Sequence, residues 1–176
     1  GGPHAPYEQS RRGGWYLEVW RRLEATAAIY PSPHSRRDVE EAATAPHEAG
    51  PPGRQADADD RGHHGPAAAA GDERVFPPAL RPLHRERADR PGGVPWRFRV
   101  PDGRVVEFAD ARHGTVRRTA GVDFGDFVVW RRDDLAAYEL AVVADDHAME
   151  IAEVVRGEDL LTSTARQILL YESLGW

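Results

Sequence analysis

An α/β fold interrupted by an irregular insertion is predicted for this chain, and three observations predict it. Apolar residues near the N-terminus recur at helical spacing, short β-rich runs separated by turn residues fill the second half, and the stretch between them holds almost no large apolar side chains. The chain accordingly divides into a helical part at 1–44, an irregular insertion at 45–95 and a second ordered part at 96–176.

Trp15, Leu17, Val19, Trp20, Leu23 and Ala27 fall mostly three and four positions apart with Arg21, Arg22 and Glu24 between them, which predicts an amphipathic helix over Trp15 to Ala28. Pro31 and Pro33 stop it. Ser35 then stands as an N-cap before Arg36-Arg37-Asp38-Val39-Glu40-Glu41, so a second helix starts there. From Ala45 to Pro95 the sequence is mostly Ala, Gly, Pro, Asp, Arg and His, with few large apolar residues, Val75, Phe76, Leu80 and Leu83 among them. So little apolar surface cannot offset chain entropy, and loop or disorder is expected.

Alternation in Trp96-Arg97-Phe98-Arg99-Val100 predicts a strand, and Pro101-Asp102-Gly103 a turn into Val105-Val106-Glu107-Phe108, which together read as a hairpin. A further strand fits Phe124 to Arg131. Tyr138 to Val143 reads as a strand, Ile151 to Arg156 as a short buried strand, Gly157 to Thr162 as a loop, and Thr164 to Leu174 as a helix that ends at Gly175. Thr164 and Gln167 have the spacing of a capping box. Strand, loop and helix in that order form half of a doubly wound unit, where ligands sit beyond the carboxyl ends of strands.

Composition narrows the functional classes. With 176 residues the chain has length for one domain, and its formal charge of -6 argues against a surface that grips nucleic acid all over. All 23 basic residues are Arg, a bias that coding composition alone would produce, and cysteine is absent, which excludes disulfides and thiolate metal sites. No apolar run is long enough to span a bilayer and no signal peptide is visible, so the cytoplasm is the expected compartment. The only Met is Met149, and the chain is expected to be an internal piece of a longer protein.

Arg156, at a predicted strand end beside Gly157, presents a planar fork suited to binding a carboxylate bidentately, and Tyr138 would add a hydroxyl if its strand lies alongside. The competing interpretation pairs Arg156 structurally with Asp145, Asp146 or Glu158 and makes Tyr138 a core residue. Residue types and spacing leave both open.

The order of the C-terminal block does more. Tyr138, Leu140 and Ala141, then Asp145, Asp146 and Met149, then Val154, Arg156, Gly157, Asp159 and Leu160, then Ser163, Thr164, Arg166 and Gln167 resemble the amino-acid and ATP site of the class I glutamyl-tRNA synthetase family. Upstream, Pro6 to Arg12, Tyr30-Pro31 with Ser35 to Asp38, and Gly125 to Val129 are similar to other blocks of that family. Val142, the Ser35 to Asp38 block and the Trp96 to Gly103 run look more like its glutamyl-Q branch.

The resemblance implies a partial Rossmann-like class I synthetase catalytic domain, with 1–44 its helical part and 96–176 its second half. It implies that Tyr138 and Arg156 hold L-glutamate and that Gly157, Glu158, Asp159 and Leu160 lie beside Mg-bound ATP. The implied activity is activation of glutamate with ATP and transfer to the queuosine base of tRNA(Asp). The alternatives are transfer to a tRNA terminus, or a degenerate paralogue that binds without chemistry. A cytoplasmic monomer follows from the same resemblance.

Two departures are visible. Where bacterial members carry a zinc site this chain has Ser32, His34, Phe76 and Leu80, three of which are not ordinary zinc ligands, so the structural zinc is expected to be lost. His34, His63, His64 and His84 read as solvated rather than as replacement ligands. The His-x-Gly-His-type and Lys-Met-Ser-Lys-Ser-type motifs are also missing, so these residues by themselves are expected to be inert.

Overall fold

The computed structural model describes residues 5, 7–44, 75–84 and 87–176. Helix α1 (Gly13–Ala25) turns one face inward, burying Tyr16, Val19, Trp20 and Leu23 at the expected helical spacing. Trp20 meets Trp96 edge-on, with ring centroids 4.8 Å apart at 86°, so the helix packs directly on a sheet. That sheet is antiparallel, in the order β1 (Ile29–Pro31), β2 (Trp96–Phe98), β5 (Phe127–Trp130), with Ile29 opposite Phe98 and Phe98 opposite Phe127. Helix α2 (Arg36–Thr44) begins as its sequence predicts: the Asp38 amide donates to Ser35 Oγ at 3.2 Å and the Ser35 amide donates back to Asp38 Oδ2 at 2.6 Å.

A second, two-stranded antiparallel sheet pairs β3 (Val105–Asp110) with β4 (Gly114–Thr119). Its turn is closed by Asp110, whose carboxylate accepts from the Arg112 and His113 amides at 2.9 and 2.8 Å, while Gly114 takes a φ of 71°. Helices α3 (Tyr138–Ala148) and α4 (Leu161–Leu174) complete the core with Leu140, Val143, Ala144, Ala165, Leu169 and Leu170. Gly175 adopts φ 70° as the left-handed cap of α4, and the Trp176 amide reaches back to the Tyr171 carbonyl.

Four expectations are corrected. Trp96 to Phe108 is not a hairpin: β1 and β5 occupy both edges of β2, and Gly103 at φ 79° sends β3 away to pair with β4. Tyr138 to Val143 is the start of a helix, because Leu140, Val143 and Ala144 share a helical face against α1 and α4, and that packing overrides the β preference of Val142 and Val143. Ile151 to Arg156 forms no regular element and joins neither sheet, and Val155 is 92% exposed. A buried strand is not what these residues form: they take part in no strand pairing, and Ile151, Val154 and Val155 are exposed instead of supplying the apolar face that a buried strand needs. Finally, α4 starts three residues early and Gln167 does not cap it.

Part of the stretch expected as loop is tightly held. Phe76 is buried, Pro78–Leu80 is a single 3-10 turn, and Arg81 donates to Asp126 Oδ1 and Oδ2 at 2.7 Å each and to Asp102 at 2.5 and 2.9 Å. Tyr30 donates to the same Asp126 at 2.5 Å, and burial chiefly raises its hydroxyl pKa. The expectation for residues 45–74 and 85–86 lies outside the described residues.

Candidate active site

Tyr138 is the first residue of α3 and stands half exposed, so it is not a core residue. The α3 backbone is fixed there by β5, since the Ala137 amide donates to the Val129 carbonyl at 2.9 Å. Arg156 is half-buried at the end of the 151–156 segment, and its Nη1 donates to Gln167 Oε1 at 2.8 Å. Gln167 in turn donates through Nε2 to Glu139 Oε2 at 2.9 Å, which links Arg156 to the residue next to Tyr138. No hydrogen bond joins Tyr138 to Arg156 among the described residues, and neither lines the clefts around Trp15 and Tyr171 or around Gly13 and Trp130.

The structural pairing weighed for Arg156 is not what forms. Asp145 is taken by Arg12 at 2.6 Å, with Tyr16 donating to it at 2.7 Å, and Glu158 faces Arg112 and His113 at 3.5 and 3.7 Å. Asp146 feels Arg156 only at longer range: burial raises its pKa and the arginine opposes that rise. Tyr171 responds in the same way.

Gly157, Glu158, Asp159 and Leu160 form a short exposed turn between Arg156 and α4. A Cβ on Gly157 would meet only the carboxylate tip of the exposed Asp159, which can swing aside, and Gly157 sits at φ -65°, a conformation open to any residue.

Glu139, Gln167 and Arg166 were not assigned to the site from sequence. All three are buried: Gln167 bonds Arg156, Glu139 accepts from Gln167, and Arg166 lies 3.7 Å from Glu139. Burial raises the Glu139 pKa, while hydrogen bonds from Ser163 and Gln167 and the charges of Arg166 and Arg156 oppose it. The missed signal was a lone acid sharing a helical face with Val143 four residues on; a strand period places Glu139 on the opposite side from Leu140.

The degenerate zinc positions do not fit a metal. Ser32 accepts from Arg97 Nε at 3.3 Å, and the guanidinium of Arg97 lies 4.2 Å from the centre of the Phe76 ring. His34 Nε2 faces the Leu80 carbonyl at 3.2 Å, which requires that nitrogen to carry a proton and removes it as a ligand. A hydroxyl, a phenyl and an isobutyl group around a fixed cation offer no tetrahedral donor set. His63 and His64 lie outside the described residues, and His84 is exposed.

Comparison with known proteins agrees with this architecture. Residues 80–176 match the family described as tRNA synthetases class I (E and Q), catalytic domain. A glutamyl-Q tRNA(Asp) synthetase from Symbiobacterium thermophilum is 40% identical over 176 residues, covering 99% of this chain and 49% of that protein. A glutamate–tRNA ligase from Halorhodospira halophila is also 40% identical over 176 residues, covering 99% of this chain and 33% of that protein. The chain thus spans a third to a half of the length of these relatives. The crystal structure of a glutamate-tRNA synthetase from Elizabethkingia anophelis covers the whole chain with a TM-score of 0.68 at 23% identity, over 33% of its own length, so the fold is shared. The α/β arrangement of residues 80–176, the relatives and the common fold lead to one assignment: the chain belongs to the class I tRNA synthetases (E and Q) and forms part of their catalytic domain.

Proposed function

We propose that this protein activates L-glutamate with Mg-bound ATP and transfers it to the queuosine base of tRNA(Asp), acting as a cytoplasmic monomer. In the first step a carboxylate oxygen of glutamate attacks the α-phosphorus of ATP. A new P–O bond forms, the bond to the β-phosphate bridging oxygen breaks, and pyrophosphate leaves. In the second step a queuosine hydroxyl attacks the acyl carbon of glutamyl-adenylate, AMP departs with the bonding pair, and the hydroxyl proton passes to solvent.

The observation that carries this reading is the state of Arg156: a half-buried guanidinium, hydrogen-bonded through one nitrogen to a neutral amide, on the segment that leads into the Gly157 to Leu160 turn. Such a cation suits the side-chain carboxylate of an amino acid, with the exposed Tyr138 hydroxyl as a second donor. The identity to glutamyl-Q tRNA(Asp) synthetases along nearly the whole chain supports the choice of acceptor. A glutamate–tRNA ligase at the same identity favours a second reading, in which glutamate goes to the tRNA terminus.

Glutamate-dependent exchange of pyrophosphate into ATP by the full-length protein tests activation, and Arg156→Ala is expected to abolish glutamate use there. No exchange with any amino acid would leave the binding-only paralogue. Charging of queuosine-containing tRNA(Asp), but not of tRNA(Asp) lacking queuosine or of tRNA(Glu), separates the two acceptors.

A further inference from the structure

Arg156 is secured by an amide, and that amide is itself oriented by an acid. Gln167 donates from Nε2 to Glu139 and accepts on Oε1 from Arg156. An ionised carboxylate can only accept, so Glu139 dictates which end of the Gln167 amide faces the arginine. Glu139 is in turn fixed from α4 by Arg166, whose Nη1 lies 3.7 Å from Oε1, and by the Ser163 hydroxyl. Arg166 is itself packed 5.7 Å over the Phe127 ring of β5. Glu139, Ser163, Arg166 and Gln167 are each at most 9% exposed, so none is free to reorient into solvent.

We infer that Glu139 and Gln167 are positioning residues for Arg156: the acid sets the amide, the amide carbonyl fixes one guanidinium nitrogen, and its neutrality leaves the arginine's charge for a bound amino-acid carboxylate. A carboxylate in place of that carbonyl would hold Arg156 more tightly but would compete with the ligand for the same charge. Among the described residues the bond to Gln167 is the only hydrogen bond Arg156 makes, so its remaining N–H groups are left to a ligand. The inference rests on the proposed role of Arg156 toward glutamate.

The decisive variant is the exchange Glu139→Gln with Gln167→Glu in the full-length protein. Composition, net charge and the bond between the two side chains are retained, while the acid now faces Arg156. The expected result in the exchange assay is a rise of about tenfold or more in the KM for glutamate, with the KM for ATP and the melting temperature near wild type. A purely structural role would move melting and both KM values together. Wild-type KM for glutamate in the exchanged protein overturns the inference.

Should the exchanged protein fail to fold, Glu139→Gln alone decides, because a neutral amide at 139 no longer enforces the orientation of Gln167. Its KM for glutamate should then rise, and an unchanged value overturns the inference. Arg156→Ala is run in parallel. Loss of glutamate use there with a wild-type exchanged protein sinks only the positioning role, whereas retained glutamate use in Arg156→Ala sinks the reading of Arg156 and this inference with it.

Discussion

Glu139 shows what a buried acid costs and what it supplies. Its burial favours the neutral carboxyl, so its folded pKa lies above its unfolded value despite the opposing hydrogen bonds from Ser163 and Gln167 and the charges of Arg166 and Arg156, the two cations that face it. For an acid shifted upward, the folded state binds the proton more tightly than the unfolded chain. The stabilising contribution is therefore present below the unfolded pKa and is lost as pH rises through the folded one. Glu139→Gln removes that titration. Its melting temperature is expected to gain on wild type as pH is raised from 4 to 8, although glutamate binding weakens. Thermal melts of both proteins across that range check this, and a constant difference between them would show that Glu139 is not the titrating group. A residue that lowers stability at working pH is what a site device is expected to do, since preorganisation is maintained against the preference of the fold.

At the scale of elements, approach distance decides what sequence pattern does not. Gly125 precedes β5, and a Cβ there would collide with the Phe76 amide and come within 2.9 Å of the Val75 side chain. The strand and the 75–84 segment touch backbone to backbone, which only glycine permits. Gly125→Ala is expected to cost about 1–3 kcal/mol by pushing that segment outward. Urea unfolding measures it, and an unchanged midpoint would contradict the packing.

Helices α1 and α2 and strand β5 were readable in the sequence because their signals are local: helical spacing of Val19, Trp20 and Leu23, the Ser35 and Asp38 box, and an apolar run at Phe127 to Trp130. Helix α3 was not, since Val142 and Val143 favour strands and only contact with α1 and α4 selects the helix. Nor was the partner of β2, because a pattern of alternation specifies a strand and not which edge it will meet. Tyr138 and Arg156 enter the proposal through the ordered series of residues around them. The residues that hold Arg156 were hidden, because the strand reading of 138–143 turned Glu139 away from α4, and Gln167 was mistaken for a cap.

Across the whole molecule, charged joints tie together parts far apart in sequence. Arg12 with Asp145 fixes the entry to α1 onto α3, while Arg81 joins the 75–84 segment to Asp126, beside β5, and to Asp102, in the turn between β2 and β3. The Asp126 side chain is fully buried and also accepts from Tyr30 and from the Val100 amide at 2.9 Å, so four stretches of chain converge on one carboxylate. Removing the cation from such a cluster leaves a buried charge with only neutral donors, a loss of about 3–5 kcal/mol for a fully buried pair. Arg81→Ala is therefore expected to lower the melting temperature strongly and to open the 75–84 segment to protease. Arg97, seated between Ser32 and Phe76, adds a second guanidinium to the same region. Strong chelators are accordingly expected to leave the wild-type melting temperature unchanged. Calorimetry with and without chelator, beside the Arg81→Ala protein, separates the two sources of cohesion: a chelator-induced drop matching that of the variant would mean that a metal, and not these arginines, holds the segment in place.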